Sequence, residues 1–138
     1  MCRDKNGLTE EEFLKSYNPD KYPKPSLTAD ICIFAHSDVT EILLVKRGGH
    51  PYIGKWALPG GYMDRDENTS DAAKRETQEE TGYQATNATL FAIIDNPKRE
   101  NVERQDVDFV YLIEVGEQVA DQDHEVLELK WFDLDNLP

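Results

Sequence analysis

The most informative part of this chain is residues 61–83, which read GYMDRDENTSDAAKRETQEETGY. Their spacing is G-x5-E-x7-R-E-x2-E-E-x-G, and the fixed positions are Gly61, Glu67, Arg75, Glu76, Glu79, Glu80 and Gly82. Residues 68–70 offer N-cap side chains, the alanines at 72 and 73 favour a helix, and the glycine at 82 suits a C-terminal cap. The segment therefore predicts a helix over residues 70–81.

Three carboxylates share one face of this predicted helix. Glu79 and Glu80 lie three and four residues after Glu76, so both are its neighbours on the helical surface. Like charges at this spacing destabilise an isolated helix by roughly 0.2–0.5 kcal/mol per pair. A bound divalent cation offsets this repulsion, since Mg2+ prefers oxygen ligands. Such a cation can also polarise a phosphoryl oxygen. A solvated acidic face is the alternative interpretation, but the complete spacing favours a metal site.

The other fixed positions have structural tasks. Gly60 and Gly61 allow a sharp turn that brings a backbone carbonyl close to a metal. Arg75 is adjacent to Glu76 and within helical reach of Glu79, so we expect its planar guanidinium to orient carboxylates rather than to contact substrate. Glu67 precedes the helix and is the predicted partner of Arg75.

The motif resembles the signature of the Nudix hydrolases. Residues 44–47, LVKR, and 54–61, GKWALPGG, are similar to the approach to the motif in ADP-ribose pyrophosphatase-like members. Two positions depart from the family pattern. Thr77 replaces a large aliphatic residue, and Tyr83 occupies the last position of the motif, where the family has an apolar residue. The resemblance implies an α/β fold, a Nudix-type α/β/α sandwich with a mixed β-sheet and a loop-helix-loop catalytic motif.

The resemblance also implies a chemistry, the hydrolysis of a phosphoric anhydride bond. The cofactor would be Mg2+, with Mn2+ as a substitute. The implied catalytic residues within the motif are Arg75, Glu76, Glu79 and Glu80. The implied metal ligands are the same three glutamates and the carbonyl of Gly60.

A further acidic residue is often required from outside the motif. Glu125 lies six residues before Trp131, at the place from which some relatives supply a metal ligand or a base. Glu103 and Asp106 are rivals, because some ADP-ribose hydrolases take their base from a mobile loop. We favour Glu125, and a polar residue at the start of a strand is the alternative interpretation.

Substrate choice depends on residues beyond the motif. Pro97 lies fifteen residues after Gly82, near the position of a proline that tends to mark ADP-ribose hydrolases. An ordinary loop proline is an equally good interpretation of this residue. Dinucleoside polyphosphate hydrolases tend to carry a tyrosine a few residues later, where this chain has Glu100 and Asn101. We therefore expect ADP-ribose to be cleaved to AMP and ribose 5-phosphate.

Three residues are candidates for substrate binding. Arg47 offers a cation for the phosphates, and Tyr52 and Phe91 offer rings able to stack. Packing or solvent exposure is the alternative interpretation for each. The histidines at 36, 50 and 124 are scattered, and we interpret them as ordinary surface or loop residues.

Two other functions remain open. Residues 17–28, YNPDKYPKPSLT, resemble the leader of Nudix domains that are fused to a winged-helix DNA-binding domain and sense an ADP-ribose-like ligand. A sensor module of a transcriptional regulator is therefore one alternative, and a hydrolase that removes unwanted nucleoside triphosphates is the other. Every acidic position of the motif is filled, which favours an enzyme.

Composition limits the partners. The chain has 28 acidic and 15 basic residues, a net charge of −13, which argues against nucleic-acid or membrane-surface binding by charge. A nucleotide-type substrate is still compatible, because bound cations reverse the local sign. Two cysteines are too few for a disulfide framework. The sequence shows neither a signal peptide nor a transmembrane run, so we expect a cytoplasmic protein, and we leave a homodimer open.

We expect one domain, with an N-terminal helix and irregular leader at 1–26 and the Nudix domain at 27–138. Thr9 and Glu12 form a capping box that predicts a short helix through about residue 17. Strands are predicted at 27–35, 41–47, 56–58, 88–94, 108–115 and 125–132. Relatives usually begin a further helix near residue 138, so either that layer is missing here or the N-terminal helix helps to cover the sheet.

Overall fold

The computed structural model describes residues 2–22, 24–96 and 105–138. These residues form two helices and eight strands. In chain order they are α1 Glu10–Ser16, β1 Ser26–Cys32, β2 Phe34–His36, β3 Thr40–Arg47, β4 Trp56–Ala57, β5 Gly60–Tyr62, α2 Thr69–Thr81, β6 Tyr83–Asn96, β7 Asp106–Gln118 and β8 Val126–Asp133. Neither helix in this part of the chain has the length and apolar composition needed to cross a bilayer.

The strands form two four-stranded sheets. The first has the order β5-β1-β7-β6, in which β1 and β7 are parallel and the other pairs are antiparallel. The second is centred on β3, which pairs with β2, β4 and β8, always antiparallel. The predicted α/β fold with a mixed sheet is therefore confirmed.

The strand predictions differ from the structure in three respects. The segment predicted at 27–35 is divided into β1 and β2, and the short β5 was not predicted. β6 and β7 are much longer than predicted, because they pair with each other along most of their lengths. The ends of both strands carry polar residues, so the sequence shows no apolar pattern there. Backbone hydrogen bonds between the two strands stabilise these ends.

α2 forms where it was predicted and packs on the first sheet. The Asn68 side chain accepts a hydrogen bond from the Asp71 N–H at 2.8 Å, and Gly82 ends the helix with φ 76°. Its buried residues are Ala72, Ala73, Thr77 and Thr81. They face a core formed with β1 and β7, whose buried residues include Ala29, Ile31, Tyr111 and Ile113. This packing leaves the glutamates on the other faces of α2.

Thr77, which departs from the family pattern, is fully buried in this core. Its hydroxyl donates to the Ala73 carbonyl at 2.7 Å. The polar group is thus satisfied within the helix, which removes the cost of burying a lone hydroxyl.

α1 begins with the predicted capping box. The Glu12 N–H donates to the Thr9 hydroxyl, and the Thr9 N–H donates to the Glu12 carboxylate, both at 3.2 Å. None of the residues of α1 is buried, and its large apolar side chains Phe13 and Leu14 remain exposed. The alternative in which this helix helps to cover the sheet is therefore not seen, because its apolar side chains stay exposed.

Candidate functional site

β5 and α2 lie in direct contact at the motif. The Gly60 N–H donates to Oε2 of Glu80 at 2.8 Å. A Cβ placed on Gly61 would lie 2.6 Å from Oε1 of Glu76, and one on Gly60 would lie 2.3 Å from the Ala29 carbonyl oxygen. Gly60 therefore lies against the backbone of β1, where no side chain fits, and a side chain at Gly61 would displace the Glu76 carboxylate of α2.

Arg75 is the centre of the polar contacts at the site. Its Nη1 donates to Oε1 of Glu76 at 2.9 Å and to Oε2 of Glu79 at 3.0 Å. Its Nε and Nη2 donate to the two carboxylate oxygens of Glu67, and Nη2 also donates to the Tyr62 carbonyl. The predicted contact between Arg75 and Glu67 is present, and Arg75 orients the carboxylates of the helix as its position in the sequence suggested.

The glutamates have perturbed acidities. Burial raises the pKa of Glu80 to about 7, against the effect of its hydrogen bond from Gly60, and the charges of Glu76 and Glu125 raise it further. Burial likewise raises the pKa of Glu76, although the neighbouring Arg75 opposes the shift. The hydrogen bond from Arg75 lowers the pKa of Glu67. The site thus holds crowded carboxylates whose charges are incompletely compensated by the protein.

A cavity of about 330 Å3 opens beside Glu80. It is lined by Val45, Arg47, Gly48, Gly49, His50, Leu58, Gly60, Glu80, His124, Glu125 and Val126. A larger depression of about 570 Å3 lies beyond Glu79, and its lining includes Arg75, Asp123 and His124. Glu125, from the turn before β8, therefore faces the same cavity as Glu80, although 45 positions separate them in the sequence.

The predicted substrate-binding residues are not all brought together. Arg47 lines the cavity, and its Nε donates to the Pro51 carbonyl at 2.8 Å. Tyr52 is exposed in the loop that follows β3 and does not line the cavity. Phe91 is 67% exposed on β6, which lies at the opposite edge of the first sheet from β5, so the structure does not bring it to the cavity.

The rival base candidates occupy different positions. Asp106 begins β7 and has no exposed surface, so neither solvent nor substrate reaches it in this conformation. Glu103 lies outside the described residues, as do Pro97, Glu100 and Asn101. Of the three candidates, Glu125 is the one that the described structure places in the cavity with Glu80.

Several residues that line the cavity were not predicted as site residues. His50 and His124 border it, although we interpreted both as ordinary surface or loop residues, and Gly48 lies between Arg47 and His50 in the same wall. Both histidines could have been inferred from their neighbours in the sequence. His124 directly precedes Glu125 and His50 closely follows Arg47, and Glu125 and Arg47 were both candidates for the site.

The residues present fit a hard divalent cation by their chemistry. The bonds from Arg75 and Gly60 use one oxygen each of Glu76, Glu79 and Glu80, which leaves a second carboxylate oxygen on each residue outside those bonds. Oxygen donors of this kind suit Mg2+ or Mn2+. Among the described residues, no group of three His, Cys, Asp or Glu side chains already surrounds one point at ligand distances.

The fold and the site agree with the comparison to known families. The sequence profile of the NUDIX domain matches residues 25–138. The chain belongs to the NUDIX family. The resemblance identified from the motif is thereby confirmed, and members of this family generally use divalent metals.

Two curated NUDIX relatives are similar over much of the chain. The ADP-ribose pyrophosphatase of Methanocaldococcus jannaschii is 36% identical over 133 residues, which cover 95% of this chain and 74% of that protein. The ADPR responsive transcriptional repressor NtrR of Acinetobacter baylyi is 37% identical over 98 residues, which cover 69% of this chain and 39% of the repressor. The aligned NUDIX segment thus spans about two fifths of the repressor's length.

A solved structure has the same NUDIX architecture. The NUDIX domain of Shewanella oneidensis NrtR, in a cocrystal structure with ADP ribose, superposes with a TM-score of 0.78 at 29% identity. The match covers 93% of this chain and 85% of that one.

Proposed function

We propose that this chain hydrolyses the pyrophosphate bond of a nucleoside diphosphate linked to another moiety, and that its substrate is ADP-ribose, cleaved to AMP and ribose 5-phosphate. One observation carries the proposal. One cavity is lined by Glu80 and Gly60 together with Glu125 and Arg47, and the Glu76 carboxylate lies against the neighbouring Gly61. This arrangement combines acidic groups for a metal and a base with a cation for a phosphate.

The metal would be Mg2+, with Mn2+ as a substitute. Glu76, Glu79 and Glu80 would hold it, together with the Gly60 carbonyl. When bound, such a cation supplies Lewis acidity toward a phosphoryl oxygen and offsets the negative charge of the pyrophosphate. Arg75 holds the carboxylates of Glu76 and Glu79 by its hydrogen bonds, and the Gly60 N–H holds that of Glu80, so the role of Arg75 is structural orientation.

The protein's own residues then account for the proton transfers. A water oxygen attacks one phosphorus, the P–O bond to the bridging oxygen breaks, and the leaving phosphate keeps the bonding electron pair. The carboxylate of Glu125 takes the proton from the attacking water. Arg47 stabilises the charge that develops on the phosphates, since its side chain borders the cavity.

The substrate assignment has three supports. One relative with 36% identity is an ADP-ribose pyrophosphatase, and a similar NUDIX domain has been crystallised with ADP ribose. In addition, the sequence before the motif, residues 54–61, resembles that of ADP-ribose pyrophosphatase-like members.

A substrate panel tests this proposal. The rate of phosphate-ester product formation would be measured for ADP-ribose, a nucleoside triphosphate, an oxidised nucleoside triphosphate and NADH, each with Mg2+ or Mn2+. We expect kcat/KM for ADP-ribose to exceed that for either triphosphate by at least about tenfold, or about 1.4 kcal/mol. Excess EDTA should abolish turnover. A preference for triphosphates would assign the chain to the alternative sanitising activity.

A ligand sensor is the second candidate. It is favoured by the 37% identity to an ADPR responsive repressor and by the similarity to the NUDIX domain of NrtR that was crystallised with ADP ribose. Calorimetry with ADP-ribose separates the two functions. Tight binding without product formation in Mn2+ would support the sensor, whereas turnover supports the enzyme.

A further inference from the structure

The backbone of Glu125 is held on both sides by different parts of the fold. The Gly48 N–H donates to the Glu125 carbonyl at 3.0 Å. On the other side, the Glu125 N–H donates to Oδ1 of Asp123 at 3.1 Å. The Asp123 N–H in turn donates to the Glu79 carbonyl at 2.9 Å, which ties this turn to the catalytic helix.

Gly48 leaves no room for a side chain. A Cβ at this position would lie 2.7 Å from the Glu125 carbonyl oxygen and 3.2 Å from the carbonyl carbon. Both atoms belong to the backbone, so a methyl group there would force Gly48 and Glu125 apart. Gly49 differs, because among the described residues no atom beyond its own chain neighbours lies within 4 Å of its Cβ position. Neither glycine has a positive φ, so alanine strains the backbone conformation at neither position.

The loop that begins with Gly48 is itself fixed. The Arg47 N–H donates to the Lys55 carbonyl at 2.9 Å, and the Gly54 N–H donates to the Arg47 carbonyl at 2.7 Å, so both bonds close the loop at its base. The Arg47 side chain adds a bond to the Pro51 carbonyl inside it. Because these bonds fix the loop, Gly48 holds the Glu125 backbone in a defined position.

We propose that Gly48 and Asp123 are positioning residues for Glu125, which hold its backbone from opposite sides and so place its carboxylate in the cavity opposite Glu80. The catalytic consequence depends on the proposed function, in which Glu125 takes a proton from water. The effect of these two residues on the position of Glu125 does not depend on that function.

The first test compares Gly48→Ala with Gly116→Ala. Gly116 is on β7, and the nearest atom to its Cβ position is 3.4 Å away, which is an ordinary contact. Gly48→Ala should lower kcat by at least about tenfold with little change in KM, whereas Gly116→Ala should keep the wild-type kcat. If Glu125→Gln slows the enzyme, a folded Gly48→Ala protein with wild-type kcat would overturn the proposal.

A double-mutant cycle separates positioning from a general loss of structure. If Gly48 acts through Glu125, Gly48→Ala should not slow an enzyme that already carries Glu125→Gln. Additive losses in kcat would mean that Gly48 acts elsewhere, and would overturn the proposal.

A second pair of variants, at Asp123, tests the proposal if Gly48→Ala does not fold. Asp123→Ala removes the acceptor of the Glu125 N–H, whereas Asp123→Asn keeps an oxygen there. Asp123→Ala should lose kcat, Asp123→Asn should regain most of it, and the Asp123→Ala loss should vanish in the Glu125→Gln background. Equal rates for the two Asp123 variants would contradict the assignment.

Crystal structures give a readout that does not require turnover. In Gly48→Ala, or in Asp123→Ala, the Glu125 Cα should be displaced relative to the Glu80 Cα, and in Gly49→Ala it should stay in place. If wild-type protein turns over no substrate, the proposed function fails, and this displacement alone decides the positioning. An unmoved Glu125 would overturn it even in an active enzyme.

Discussion

Arg75 holds Glu67 through two parallel hydrogen bonds, from Nε to Oε2 at 2.9 Å and from Nη2 to Oε1 at 3.0 Å. This fork geometry joins the loop before α2 to the helix itself. Because the remaining Nη1 donates to Glu76 and Glu79, one guanidinium sets the positions of three carboxylates. The orientation of the site thus depends on a residue that need not contact substrate.

Arg75→Lys should lower kcat by roughly 10–100-fold, because three ammonium donors cannot reproduce a planar fork that serves three carboxylates and a carbonyl. Steady-state kinetics with ADP-ribose, or with the best substrate of the panel, would measure this. Arg65→Lys, at an exposed loop position, is the matched control and should leave kcat unchanged. Equal kcat values for the two variants would contradict the orienting role.

Glu80→Gln and Glu76→Gln should each lower kcat by at least about 10²-fold, because the amide keeps the shape but removes the charge that a divalent cation needs. Glu79→Gln should be less severe, since its side chain is 49% exposed against 12% for Glu76. Mn2+ affinity, measured by electron paramagnetic resonance, should weaken in the same order. Glu114→Gln, on the exposed part of β7, is the control. Near-wild-type rates for the first two variants would place the metal site elsewhere.

Gly61→Ala should disturb Glu76 directly, because its Cβ position lies 2.6 Å from Oε1 of that residue. We expect kcat to fall by at least about tenfold and the affinity for Mn2+ to weaken, since a displaced carboxylate no longer meets the cation. A thermal melt would show that the variant is folded. Unchanged Mn2+ affinity would mean that Glu76 does not bind the cation.

The metal-free protein should lose stability as the pH rises toward and above 7. The folded-state pKa of Glu80 is raised to about 7 from 4.5, so folding favours its protonated form. This contribution is complete below pH 4.5 and is lost as the pH increases through 7, by an amount on the order of 1–3 kcal/mol. Urea unfolding in EDTA from pH 5 to 8 would measure the decline.

Glu80→Gln is the control for that series, because it cannot titrate and should show a smaller decline. Added Mg2+ should reverse the loss in the wild type at pH 8, since a ligand that binds only the folded state stabilises it. Parallel curves for wild type and Glu80→Gln would assign the pH dependence to other groups.

Local sequence determined the centre of the site. Residues separated by three or four positions on a helix become neighbours whatever the tertiary structure does, so the carboxylate face of α2 followed from spacing. The helix ends followed from Asn68 and Gly82, which are local signals as well. The contact between Arg75 and Glu67 spans only eight positions and was predicted as well.

Only the tertiary structure decided which distant residues meet this helix. The pairing of β3 with β8 brings Arg47 beside Val126, and hence Gly48 beside Glu125. The strand order β5-β1-β7-β6 places Phe91 at the far edge of the first sheet, and burial at the start of β7 encloses Asp106. Strand order and register depend on the packing of the whole core, because a strand's own residues specify its two faces but not its neighbours.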